Sequence, residues 1–301
     1  MRSIAHIINP VKVNEKSDLF YAQPITFETI LKAKTFCKFS DDISLFTTQY
    51  EEDKEIISRE FTQLPNLSRS VLDVNDSLKY RKLPLIADIL DRLAENTEAE
   101  YLLFTNMDIA VMPHFYDALF SYIEKGHDAV VINRRRLEKK YNSVDELPLM
   151  YADLGKSHPG FDCFLFKKEL LSKFILSDIC VGISFLEVTL VNNIFSFAEN
   201  PLFVPDAHLT FHIGMDVLVP RNNLFYKHNK NTYFKKVQPQ LKPHFSLKKF
   251  PYGTLPFPQR AIKWMLNPSL FTRNYLKLEQ RQLHYRIKMW FDEIRWRILQ
   301  R

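Results

Sequence analysis

Glycine is scarce, with six in 301 residues. Neither a GxGxxG nor a GxxxxGKS/T stretch occurs, so the two glycine-built phosphate cradles are missing, which disfavours dinucleotide oxidoreductases and P-loop nucleotide hydrolases. Cysteine is as rare: Cys37, Cys163 and Cys180 are odd in number, form no CxxC pair and lack zinc-site spacing. Buried, reduced thiols in a cytoplasmic protein are the expectation. No run approaches the roughly 20 apolar residues of a membrane-spanning helix. The opening MRSIAHIINPVK is broken by His6, Asn9 and Pro10, so it reads as a first strand rather than a signal peptide. Any membrane contact is expected to be peripheral, at the cytosolic face. Internal repeats and low-complexity tracts are also lacking.

What is present suffices for a sizeable core: 46% of residues are hydrophobic and 14% aromatic. The net charge of +6 conceals an asymmetry. Residues 220–301 hold 18 Lys and Arg against 3 Asp and Glu, and residues 1–219 hold the remaining 23 and 32. An acidic globular body, 1–219, is therefore expected to carry a basic, aromatic extension, 220–301, of a kind that meets anionic partners.

Along the body, short apolar runs alternate with amphipathic stretches. Strands are expected at Ile4 to Asn9, Ile43 to Thr48, Ser70 to Val74, Tyr101 to Thr105 and Asp128 to Asn133. Helices are expected at Ile25 to Lys38, Glu51 to Phe61, Leu83 to Ala94 and His114 to Lys125. This succession predicts a mostly parallel, doubly wound α/β sheet, whose ligands bind outside the carboxyl ends of its strands.

The run YLLFTNMDIAVMP carries the chemistry. A buried strand ends in Asn106-Met107-Asp108, an amide two residues from a carboxylate, which can offer oxygens to one hard divalent cation shared with substrate phosphates. As plainer readings, Asp108 is a strand-end carboxylate and Asn106 a turn residue.

YLLFTNMDIAVMPHFYDAL resembles the DxD region of GT-A glycosyltransferases of the family 2 type, with Asn106 replacing the first aspartate and Asp108 keeping the place of the metal-ligating one. The resemblance continues in order over residues 3 to 216. IAHIINPV is similar to the first strand, placing Asn9 and Pro10 beside a nucleotide base. KYRKLPLIADILDRLAE is similar to the helix before the DxD strand, placing Lys79, Arg81 and Lys82 near a diphosphate. HPGFDCFLFKKELL is similar to the acceptor-side segment, with Asp162 as its polar residue and a catalytic candidate beside Glu187. SFLEVTLVNNIF puts Glu187 where the family's catalytic base opens a helix, and FVPDAHLTFHIG offers His212, or secondarily His208, to the metal or diphosphate.

The resemblance implies a Rossmann-like GT-A fold, a nucleotide-sugar donor, Mn²⁺ or Mg²⁺ held by Asp108, Asn106 and His212, and a glycan or lipid-linked acceptor. It also implies inverting displacement with Glu187 as base. Left open are a first-turn structural role for Glu187, a strand role for His212 and a hydrogen-bonding role for Asp162. The run Arg134-Arg135-Arg136 offers a grip for an acceptor phosphate or a diphosphate, but the favoured reading is a solvated charge cluster. A nucleotidyltransferase lacks its glycine-rich opening loop here, and Asn106 keeps a noncatalytic glycan-binding or membrane-scaffolding module as the rival.

In the extension, Leu276, Leu283, Ile287, Trp290, Ile294 and Ile298 fall on one helical face among Lys277, Arg281, Arg286, Lys288, Arg295 and Arg297. Residues 275–301 thus read as an amphipathic helix for an anionic membrane surface, or one docked on the body. Nucleic acid is the weaker partner, because no RRM, KH or zinc-finger pattern occurs.

Overall fold

Every residue of the first strand, β1 (Ile4–Ile8), is buried, as an apolar, β-branched run covered on both faces should be. The computed structural model describes residues 2–137, 139–213, 223–267 and 270. Residues 275–301, where the amphipathic helix was expected, lie outside them. The remaining strands are β2 (Ile43–Thr47), β3 (Thr62–Gln63), β4 (Tyr101–Thr105), β5 (Ile109–Val111), β6 (Ala129–Arg136), β7 (Lys156–Lys167), β8 (Pro201–Val204) and β9 (Thr210–His212). The helices are α1 (Leu19–Phe36), α2 (Ile86–Glu95), α3 (Phe115–Glu124), α4 (Leu147–Ala152), α5 (Leu186–Phe197), α6 (Leu224–Thr232), α7 (Gln238–Leu241) and α8 (Phe257–Leu266).

The described residues build a nine-stranded sheet of order β3-β2-β1-β4-β7-β6-β9-β5, with β8 also on β6. Only β7 and β5 run against the others. The expected α/β class, a mostly parallel sheet flanked by helices, is the one observed. Ile4 and Ile8 of β1 and Leu103 of β4 join Phe27, Ile30 and Ala33 of α1 and Phe115 and Leu119 of α3 in the main core. Helices α2 and α5 pack on β4 and β7. His6 is structural: buried in β1, it meets the Tyr116 hydroxyl at 2.7 Å and Thr105 Oγ1 at 2.9 Å. Burial pushes its pKa down to about 3, so it stays neutral.

Several elements depart from expectation. The segment at Ser70 is a 3₁₀ turn, Val71–Asp73, not a strand. Ser70 Oγ accepts from Leu72 N at 3.2 Å and Asp73 accepts from Ser70 N at 2.6 Å; such local capping outcompetes a sheet ladder. The sheet takes Thr62–Gln63 as its edge strand instead. Glu51–Ile56 is likewise a 3₁₀ segment.

Helix α1 begins six residues before the expected start, carrying Pro24 inside it. The lost backbone bond is offset by burial of Ala22 and Ile25 in a second apolar cluster and by a side-chain clamp. In that clamp Gln23 Oε1 accepts from Val11 N and Nε2 donates to Val11 O, both at 2.8 Å.

The chain divides into two units, Met1–Gly253 and Thr254–Arg301. Residues 223–253 thus belong with the sheet unit; the second unit contains α8. No described helix is long and apolar enough to cross a membrane. The three cysteines are free and buried.

Candidate active site

Strand β4 ends at Thr105, and Asn106-Met107-Asp108 turns the chain into β5 through a bond from Ile109 N to Asn106 O at 3.2 Å. Two threonines of α1 hold this turn from beneath. Thr26 Oγ1 donates to Met107 O at 3.0 Å, and Thr29 Oγ1 accepts from Val111 N at 3.2 Å. Because β5 pairs antiparallel with β9, Ile109 faces His212, and Ile213 N donates to Asp108 O at 2.9 Å. The Asp108 carboxylate is thereby placed 3.1 Å from His212 Nε2.

Asp162 arrives from the antiparallel strand β7. Its neighbours Phe161 and Cys163 are paired to Asn133 and Ile132 of β6, with a register shift between them. The residue skipped by this irregularity is Asp162, and such bulges re-aim a side chain. Asp162 Oδ1 accepts from Asn106 Nδ2 at 2.9 Å, and Oδ2 is ion-paired with Arg134. Asn106, Asp108, Asp162, His212 and Arg134 thus form one connected group at the end of β4.

Arg134 corrects the reading of its run as solvated. Its side chain is 15% exposed and that of Asp162 8%, while Arg135, at 18%, pairs with Asp206 and donates to Leu154 O. The physical reason is acidic partners on both faces: successive side chains leave opposite faces of β6, and Arg135 meets Asp206 while Arg134 meets Asp162. Gly160 makes room for this pair, since a Cβ there would lie 2.8 Å from Arg134 Cζ. Arg134→Ala should leave the buried Asp162 carboxylate uncompensated and cost about 3–5 kcal/mol, read as a lowered midpoint in urea denaturation at pH 7.

Around His212, burial lowers the pKa most, but the hydrogen bond and charge of Asp108 together outweigh it, and the net shift is upward. A raised histidine pKa adds stability that is fully present below about pH 6.5. That contribution is lost as pH rises through the elevated folded-state value. The stability gap between wild type and His212→Gln, measured metal-free by thermal unfolding from pH 5.5 to 8.5, should therefore shrink as pH rises. A gap that widens would contradict the pairing. His208 stands apart, in a separate neighbourhood with Arg135, His114 and Asp206.

Of the residues expected on the nucleotide side, Asn9 and Pro10 follow the carboxyl end of β1. Asn9 Nδ2 donates to Thr48 O at 2.6 Å, joining the ends of β1 and β2, and Pro10 is buried beside it. Lys12 N donates to the buried Asp53 at 2.7 Å. Lys82 is committed locally, 2.9 Å from Glu52 and 3.8 Å over the Tyr50 ring. Lys79 and Arg81 are exposed beside it. Among the described residues, none of these three cations bonds to Asp108 directly.

Glu187 lies in the first turn of α5 and is half-buried. The helix is aimed by an unusual entry: Phe185, its N-cap, has φ +82°, a left-handed conformation costly for a bulky residue. Phe185 is held there by Tyr226, Tyr233 and Phe234, with ring centroids 5.6 to 5.7 Å away. Asn229 of α6 secures the approach, accepting from Cys180 N and donating to Cys180 O, both at 2.9 Å. Ile86 N donates to Ile179 O at 3.0 Å, so the segment leading to Glu187 lies against the start of α2. Sequence reading missed Thr26, Thr29 and Asn229, and it noted Arg134 only within its charge run, without the pairing to Asp162.

No protein-family model matches the sequence, and no curated protein does. Solved structures do match. Residues 1–349 of S. aureus TarS align over 93% of this chain and 74% of that one, at 10% identity and a TM-score of 0.47. The same protein in complex with UDP-GlcNAc aligns over 95% and 92%, at 11% and 0.44. Glucosyl-3-phosphoglycerate synthase from Mycobacterium tuberculosis, with Mn²⁺, UDP and glucosyl-3-phosphoglycerate, aligns over 78% and 80%, at 12% and 0.43. All these scores lie below 0.5, and the function proposed next rests on this chain's own residues.

Proposed function

We propose that this protein is a GT-A-type glycosyltransferase moving a sugar from a nucleotide-sugar donor to a glycan or lipid-linked acceptor, metal-dependently and with inversion. The observation carrying this reading is the convergence of Asn106, Asp108, Asp162, His212 and Arg134 at the end of β4.

The donor set fits a divalent cation. Ligands about 2.1 Å from an octahedral ion stand about 3 Å apart in neighbouring positions, and Asp108 Oδ2 and His212 Nε2 are 3.1 Å apart. No group of three His, Cys, Asp or Glu that could hold a metal occurs among the described residues. The chain therefore supplies a partial shell for Mn²⁺ or Mg²⁺, to be completed by substrate oxygens and water. With Asn106 Nδ2 turned to Asp162, only its Oδ1 remains as a ligand atom. A cation held here supplies Lewis-acid charge to the departing diphosphate.

Glu187 takes the proton of the acceptor hydroxyl as its oxygen attacks the anomeric carbon. The new carbon–oxygen bond forms while the bond to the diphosphate breaks, and the electron pair leaves on the phosphate oxygen. Lys79 and Arg81, near the start of α2, stabilise that charge. Asp162 is a poor base because both its oxygens already accept charge-assisted or amide bonds from Arg134 and Asn106. It instead orients Asn106. A backside attack with one base gives inversion in a single step.

The test is a screen of nucleotide sugars with Mn²⁺ and simple glycoside acceptors, reading release of nucleoside diphosphate and product anomer by NMR. One donor should give inverted product. A retained anomer would remove the single-step mechanism.

A further inference from the structure

Residues 223–253 contain seven lysines and no aspartate or glutamate. They fold as one nearly unbroken helical rod: α6, a π-helical segment Tyr233–Val237, α7 and a 3₁₀ turn Lys242–His244. The inner side of the rod is set by buried His228, Asn229, Thr232, Tyr233, Val237 and Leu241. His228 Nε2 meets Asp178 O at 2.8 Å, fixing that side on the sheet unit.

The outer side reads Leu224, Lys227, Asn231, Lys235, Pro239 and Lys242, all exposed. These recur at steps of three and four, one face of a helix. The π segment, with its wider turn, falls within this run. From Lys227 to Lys242 the row spans about 22 Å at about 1.5 Å per residue.

Some lysines of the segment are engaged: Lys236 pairs with Asp178 and Lys249 donates to Ala198 O, both at 2.8 Å. Lys227, Lys235, Lys242 and Lys248 make no ion pair among the described residues. Apolar side chains stand among them. Leu224 is 52% exposed and Leu247 38%, and Phe245 is exposed at 36% at the rod's end. Lysines without acidic partners, interleaved with exposed apolar tips, suit a surface that is anionic outside and apolar within. A soluble polyanion would engage the lysines and gain nothing from the leucines.

We propose that the outer face of residues 224–248 docks on an anionic lipid bilayer, with Lys227, Lys235 and Lys242 on headgroups and Leu224 and Leu247 in the interface. This places membrane contact on the sheet unit itself, separate from residues 275–301. It does not rest on the transferase reading, because vesicle binding is read without any reaction.

The experiment is vesicle sedimentation of the full chain, with phosphatidylcholine alone and with added phosphatidylglycerol, and heparin binding in parallel. Wild type should pellet with the anionic vesicles only. Lys227→Gln/Lys235→Gln/Lys242→Gln should lose roughly a hundredfold in partition, each exposed lysine contributing about fivefold. Leu224→Ser/Leu247→Ser should also weaken partition several-fold while leaving heparin binding unchanged. Unaltered thermal midpoints would confirm that both variants fold. Unchanged partition in the triple lysine variant would overturn the proposal. So would a leucine variant that pellets like wild type, which would make the face a general polyanion surface such as RNA also meets.

Discussion

Glu187→Gln should lower the rate of transfer by about 10²- to 10⁴-fold while leaving donor affinity unchanged. The amide preserves the size of the side chain and removes only its capacity to take a proton. Glu187 sits half-buried in the first turn of α5, where Phe185 and Asn229 hold the entry rigid. A base must be held to within a fraction of an ångström of its proton, and a strained, over-packed N-cap provides that rigidity. Single-turnover rates with saturating donor are the direct readout. A variant that turns over like wild type would remove Glu187 as the base and return it to a helix-end role. A variant with weakened donor binding would instead place Glu187 on the donor side.

Asp108→Ala should have the second large effect: transfer falls by roughly a thousandfold, and Mn²⁺ no longer strengthens nucleoside diphosphate binding. Two losses combine. The substitution removes the carboxylate 3.1 Å from His212, one of the two ionisable groups of the proposed cation site, and it leaves His212 without the partner that raises its pKa. Binding measured without metal should be nearly unaffected, because Lys79, Arg81 and the Asn9 edge are untouched. A uniform loss with and without Mn²⁺ would instead indicate a disturbed turn. The bond from Ile213 N to Asp108 O is a backbone bond and survives the substitution, so the turn itself should persist.

Parts of this architecture were legible in the sequence because their signals are local. YLLFT is five apolar or β-branched residues bounded by polar ones, and it is a fully buried strand. Ile86, Ile89, Leu90 and Leu93 recur at helical spacing, and they are the buried face of α2. The extended stretch at Ser70 failed because a serine–aspartate cap three residues apart competes locally with a strand. The start of α1 failed because Pro24 is tolerated in a helix only through tertiary burial and the Gln23 clamp, which lie outside any local window.

The site divides the same way. Asn106 and Asp108 stand out beside their strand, but the partners that define their chemistry come from distant segments. Asp162, on β7, reaches Asn106 at the end of β4 at a register shift between β7 and β6 that no composition encodes. Arg134 is distinguished from Arg135 and Arg136 by its partner Asp162 and by Gly160, whose missing Cβ admits the guanidinium. His212 meets Asp108 because β9 pairs with β5, a contact between residues 104 apart.

The most direct measurement is calorimetric titration of the purified full chain with nucleoside diphosphates, UDP and GDP among them, with and without Mn²⁺. At least one diphosphate should bind at least tenfold more tightly with Mn²⁺, and that gain should vanish in Asp108→Ala. Equal affinities with and without the metal for every diphosphate, or a metal-dependent gain that survives Asp108→Ala, would contradict a cation site built on Asp108.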